Sequence, residues 1–122
     1  MPNRKTPVSS STISTVLAAL VPRTIFSAGS NTKGIKVIAG SCAEWQSSGG
    51  TFGHFVISTT PPSTMSDGAT VSKVVSVQNA SPNFMSYQIV DDLFVPSGYG
   101  LYWISTATSV QGTTTDVSWA DA

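Results

Sequence analysis

Glutamate occurs once in this chain of 122 residues, at Glu44, and lysine only four times. Surface helices draw on Glu, Lys and Arg, whose long unbranched side chains lose little entropy on a helix. A chain without them has little to build an exposed helical face from. Its polar surface is made instead of small hydroxyls, since Ser and Thr together supply 35 of the 122 residues. Thr, Val, Ile and the aromatic residues suit pleated strands. Ten Gly and seven Pro punctuate the sequence at short intervals. The pattern predicts an all-β domain.

The strand signals are regular from Arg23 onward. Apolar and β-branched runs fall at 23–28, 34–45, 51–59, 70–78, 84–90, 91–95, 100–106 and 113–119. Turn clusters separate them: GSNT at 29–32, QSSGG at 46–50, PPSTMSDG at 61–68, NASPN at 79–83 and PSG at 96–98. About eight short strands at this spacing predict an antiparallel β-sandwich or jelly roll. In the second run, Ile35, Val37, Ala39, Ala43 and Trp45 are expected on one face. Lys36, Ile38 and Cys42 are expected on the other, with Gly40 marking a bulge or bend. Residues 1–21 read differently. Positions 1–11 are polar, contain two Pro and show no apolar periodicity, which predicts an extended N-terminal arm ahead of a β-sandwich domain over residues 22–122. Arg4 and Lys5 are followed by Ser and Thr, and the apolar stretch 16–21 is too short for a secretory h-region, so no signal peptide is expected.

Two strands are apolar on both faces. The fifth run sets Phe84 and Val90 against Met85, Tyr87 and Ile89, and the seventh sets Leu101 and Trp103 against Tyr102 and Ile104. An isolated two-sheet sandwich has a polar outer face. Two-sided apolarity predicts a second cover, and a neighbouring subunit supplies one. Val16, Leu17 and Leu20 of the arm, with Tyr87, Tyr102 and Trp103 of the domain, are the residues expected at subunit or particle contacts. Charged residues are 10% of the chain and the formal net charge is zero. A global field for capturing nucleic acid or an anionic membrane is therefore absent. No apolar run approaches the roughly 18 residues that span a bilayer. The charges are uneven: residues 1–41 carry Arg4, Lys5, Arg23, Lys33 and Lys36 and no acid, while residues 42–122 carry Lys73 and all six acids. This asymmetry suits docking of the arm, through Arg4 and Lys5, on an acidic body.

The residues that carry chemistry are few. His54 is the single histidine and lacks a G-x-S-x-G elbow or another nucleophile context around it. Cys42 reads as a small buried hydrophobe. Asp91 and Asp92 are adjacent on a strand, where neighbours point to opposite faces and cannot share one ion. The GSNTKG segment at 29–34 lacks the G-K-[ST] ending of a phosphate loop. No catalytic, cofactor or metal site is expected. Tyr99 and Trp103 form the alternative site, an aromatic platform for a glycan or receptor.

Residues 92–105, DLFVPSGYGLYWIS, carry an apolar strand, a Pro-x-Gly turn and a Gly-Leu-Tyr entry into the next strand. This segment resembles a pattern in small β-sandwich proteins of tailed-phage particles. The spacing of residues 26–38 and of the loop 61–68 is similar to theirs. Pro96 ends a ladder by removing a donor, and Gly98 permits positive φ. The resemblance implies a trimeric jelly-roll or TNF-like subunit on a virion assembled in the host cytoplasm. The implied role is a non-enzymatic decoration or cement protein, tethered through its arm to the major capsid protein or another virion protein. A fibre or tail knob binding a receptor or carbohydrate is the alternative. The implied partners are the chain itself, as a homotrimer, and virion proteins, with no cofactor.

Overall fold

Alternation of apolar and small polar residues along β-branched runs gives strands throughout. The computed structural model describes residues 9–15, 20–46, 53–71, 74–78, 84–89, 92–105 and 110–122. Among the described residues ten strands form: β1 Ser9–Thr15, β2 Arg23–Phe26, β3 Ile35–Gln46, β4 Gly53–Ser58, β5 Ala69–Thr70, β6 Val74–Gln78, β7 Phe84–Ile89, β8 Leu93–Val95, β9 Gly100–Ser105 and β10 Val110–Asp121. They build two antiparallel sheets. The larger runs β1-β10-β3-β7-β6, with β8 pairing the start of β3, and the smaller runs β2-β9-β4-β5. Successive strands alternate between the sheets over most of the chain, which is the strand order of a jelly roll, with β6 added at one edge.

The core lies between the sheets. Trp103 is its centre, fully buried, with ring centroids 5.1 Å from Phe55 and 5.0 Å from Tyr87. An ideal Cβ on Gly53 would lie 2.6 Å from the Trp103 ring, so the absence of a side chain there makes room for the indole. Phe26 packs on Trp119 at 5.0 Å, and Ile35, Val37, Cys42 and Val117 complete the layer.

Three features differ from the sequence reading. Residues 9–15, assigned to the arm, are a strand whose full length pairs with β10, from Ser9 opposite Trp119 to Thr15 opposite Thr113. The described part of the arm therefore belongs to the sandwich. The run at 70–78 divides: β5 ends the smaller sheet and β6 edges the larger one, so the chain crosses between sheets within it. The third difference is in β3. The β10 register jumps from Ser118 opposite Ala39 to Trp119 opposite Val37, which leaves Ile38 as an extra residue in a bulge. The bulge flips the side-chain parity. Ile35, Val37 and Cys42 all face the core, whereas Lys36, Ile38 and Ala39 are exposed. The expected face of Ala39 and that of Cys42 are thus both reversed.

The two-sided apolarity of β9 has a cover inside the chain. Phe55, Leu101 and Trp103 face the core, and Val56, Tyr102 and Ile104 lie on the other face of the smaller sheet, at 0%, 1% and 0% exposure. The connection 59–68 lies over the β4 part of this face. Gly68 sits against Val56, where an ideal Cβ would be 2.6 Å from Val56 Cγ1, and His54 hydrogen-bonds the Met65 backbone. The loop is braced internally. Asp67 Oδ2 accepts from the Ser63 and Thr64 amides at 2.9 and 3.1 Å and from Ser63 Oγ at 3.2 Å. The Leu20 amide also donates to the Ser105 carbonyl at 2.8 Å. Tyr87, Tyr102 and Trp103 are buried within one chain and have no surface to offer a partner, which corrects their assignment to a subunit interface.

Candidate functional site

The outward face of the larger sheet carries the accessible surface features. Its centre is built by β3, β7 and β10, with Ser41 opposite both Asp116 and Gln88, and Ala39 opposite Ser118. Small side chains on the middle strand leave a depression. It has a volume of about 460 Å³ and is lined by Ala39, Ser41, Gln88, Asp116 and Ser118, with Gly40 and Ile89 at its floor. Gly40 is paired with both Ile89 and Val117, and an ideal Cβ there would lie 2.8 Å from Ile89 Cδ1. The lining presents hydroxyl, amide and carboxylate groups and no aromatic ring.

One end of the same face is apolar. Ile38 stands outward at 38% exposure, and Phe94 on β8 stands opposite Lys36 at 58% exposure. The Phe94 ring lies across Gly34, where an ideal Cβ would be 3.1 Å from it; Gly34 has φ +91°, so only glycine fits both demands. Lys36 Nζ pairs with Asp92 Oδ2 at 3.1 Å. Both side chains are more than half exposed, so the pair contributes at most about 1 kcal/mol and serves mainly to orient the patch.

The chemistry available is recognition by shape, apolar contact and hydrogen bonding, with charge at Asp116 and at the Lys36–Asp92 pair. Among the described residues, no three His, Cys, Asp or Glu side chains gather where they could hold a metal ion. Among the described residues no helix is long and apolar enough to cross a membrane. His54 lies beside Val56 on the far side of the smaller sheet, and Cys42 is fully buried in the core.

The residues expected at a site are dispersed. Arg4, Lys5, Val16 and Leu17, as well as Asp91, lie outside the described residues. Leu20 is exposed at 41%, with a φ of +60° where its amide meets Ser105, and Val21 beside it is exposed at 48%. Tyr99 is exposed at 39%, but Trp103 is wholly inside the sandwich, so the two cannot form a stacking platform. Ile38 and Phe94 were not marked by sequence reasoning. The signal for Phe94 is available in hindsight: it alternates with Leu93 and Val95, which are buried. Ile38 falls with Lys36 on the face opposite Ile35 and Val37, as plain alternation from Ile35 requires.

Comparison with protein-family models, with curated proteins and with solved structures finds no match to this chain. The function is therefore argued from the surface itself.

Proposed function

We propose that the chain is a non-enzymatic structural subunit of a tailed-phage particle, a decoration or cement protein that attaches to the major capsid protein or another virion protein. The observation that carries this reading is the outward face of the larger sheet. Ile38 and Phe94 form an exposed apolar end, bordered by the Lys36–Asp92 pair and by the depression, whose side chains are small or polar with one carboxylate, Asp116. An apolar patch with an aromatic ring, rimmed by polar and charged groups, is the composition of a protein contact. The resemblance of residues 92–105 to phage β-sandwich proteins supports a particle as the setting, and Phe94 belongs to that segment. The reading does not depend on three-fold symmetry, because the buried Tyr102 and Trp103 no longer argue for it. A tether, with Arg4 and Lys5, is confined to residues 1–8 ahead of β1.

The test is re-addition of purified protein to particles assembled without it. Wild-type chain binds, and the double variant Ile38→Ser/Phe94→Ser loses binding by about tenfold or more, since two apolar contacts of this size are worth a few kcal/mol. Its thermal midpoint stays close to wild type, because both side chains are exposed in the free chain. Undiminished binding by the double variant overturns the surface, and failure of wild-type chain to bind particles overturns the role. A glycan- or receptor-binding role is favoured by one observation, the polar depression around Asp116 and Gln88. Glycan binding abolished by Gln88→Ala would favour it.

A further inference from the structure

The edges of the two sheets are treated differently. The smaller sheet ends in β5, of two residues, and β2, of four residues that begin with Arg23 directly after Pro22. Short strands, charge and proline are the usual protection of a sheet edge. In the larger sheet, β8 has three residues and β6 has five, with Lys73 immediately before it. β1 has none of these protections. It has seven residues, SSSTIST, with no charge, no Pro and no Gly. One side pairs with β10 along the whole strand, and among the described residues nothing pairs with the other.

The occupant that fits is a second copy of the same strand. Antiparallel pairing of β1 with itself over its full length centres on Thr12. That register sets Thr12 opposite Thr12, Ser11 opposite Ile13, Ser10 opposite Ser14 and Ser9 opposite Thr15. Every opposed pair is small or β-branched, and no like charges meet. In an antiparallel pair a two-fold axis passes between directly opposed residues, so full overlap and exact symmetry coincide at one position. The zero formal net charge of the chain adds no long-range repulsion. We propose that the free edge of β1 adds antiparallel to β1 of a second copy, joining the two larger sheets across a two-fold axis at Thr12. The contact is isologous and closed, and so produces a dimer and not a fibre. It goes beyond attachment to a particle, which uses a sheet face and not this edge.

Two variants of the full chain test the register. Thr12→Cys places the only accessible thiol on the axis, because Cys42 is the sole native cysteine and is fully buried. Mild oxidation should convert this variant to a covalent dimer on a non-reducing gel. Ser9→Cys should not cross-link to itself, but should cross-link when mixed with Thr15→Cys. Thr12→Lys opposes two lysines across the axis, while in the single chain position 12 lies opposite Asp116, which favours a cation. Light scattering should show wild type as a dimer and Thr12→Lys as a folded monomer, with dimer affinity lowered about tenfold or more. A wild-type monomer at high concentration overturns the proposal. So does an oligomer of any size that Thr12→Lys leaves intact and Thr12→Cys fails to cross-link. A monomeric Thr12→Lys that still binds particles leaves the attachment reading standing, which keeps the two failures distinguishable.

Discussion

Asn31 joins the connection between β2 and β3, which holds one 3-10 turn at Ala28–Ser30, to the turn between β8 and β9. Its Nδ2 donates to the carbonyls of Pro96 at 2.7 Å, Tyr99 at 2.9 Å and Val95 at 3.3 Å, and its Oδ1 accepts from the Gly34 amide at 2.9 Å. The Gly98 amide closes the knot on the Asn31 carbonyl at 2.8 Å. Replacing a side chain that is 2% exposed strands several buried polar groups, so Asn31→Ala should cost about 2–4 kcal/mol in urea unfolding. Asn31→Asp should be at least as damaging, because its carboxylate faces three carbonyl oxygens. In the sequence this residue looked like one member of a turn cluster, since its partners lie more than sixty positions away. His54 makes a prediction in pH. Burial lowers its proton affinity below the ordinary value of 6.5, and the hydrogen bond to the Met65 backbone opposes this only in part. Below pH 6.5 the unfolded chain therefore holds more protons than the folded one. The stability contributed by neutral His54 is complete above that pH and declines as the pH falls toward the folded value. His54→Gln should flatten the pH dependence of the urea midpoint across this interval. Asp67 acts in a lower window. Hydrogen bonds from the Ser63 amide and from Thr64 hold its carboxyl below the usual range, and that contribution is lost as the pH falls through the lowered value.

At the scale of elements, the loop 59–68 lies over the β4 side of the second apolar layer, with Gly68 against Val56 and the Met65 backbone hydrogen-bonded to His54. Gly68 holds φ +69°, and a Cβ there would stand 2.6 Å from Val56 Cγ1 and 2.8 Å from the Ile57 carbonyl. Gly68→Ala therefore meets both backbone strain and an overlap with main chain. It should destabilise by about 2–4 kcal/mol and raise binding of a hydrophobic dye as Val56 loses its cover. The strands themselves were legible because period-two alternation is a local property: Phe55 and Ile57 against His54 and Val56 in β4 fall as the pattern requires. What covers an outer face is not local. Apolar residues on both sides of β9 state that two covers exist, but the sequence does not say that both lie within the same chain, where Tyr102 and Ile104 are buried. The bulge is the other illegible step. Gly40 drew attention as the irregular position, yet it remains paired with Ile89 and Val117, and the extra residue is Ile38 two places earlier. A β-branched residue in a bulge carries no mark in sequence, and missing it inverts the inferred face of Ala39 and Cys42 beyond it, while Ile35 to Ile38 keep theirs.

At the scale of the molecule, the jelly roll is closed by its ends. β1 and β10 pair over seven positions, so a contact between Ser9 and Trp119 spans nearly the whole chain. Such long-range ladders place folding in the slow range of β-proteins, milliseconds to seconds, because the entropy of closing the loop is lost before the contacts form. The same ladder separates two roles for the N-terminal segment. Removing residues 1–8 leaves every described strand in place, so stability should stay within about 0.5 kcal/mol of the full chain, and only a tethering role on the particle would be lost. Removing residues 1–15 strips β1 and bares the edge of the twelve-residue strand β10, the partner that also holds β3 through the middle of the sheet. This truncation should lower stability by several kcal/mol and promote aggregation, because a long exposed strand of low charge is a template for further chains. If urea unfolding instead gives equal midpoints for the two truncations, β1 contributes nothing to the sandwich. The edge at which a second copy is proposed to add would then not exist, and the N-terminal segment would return to being an arm.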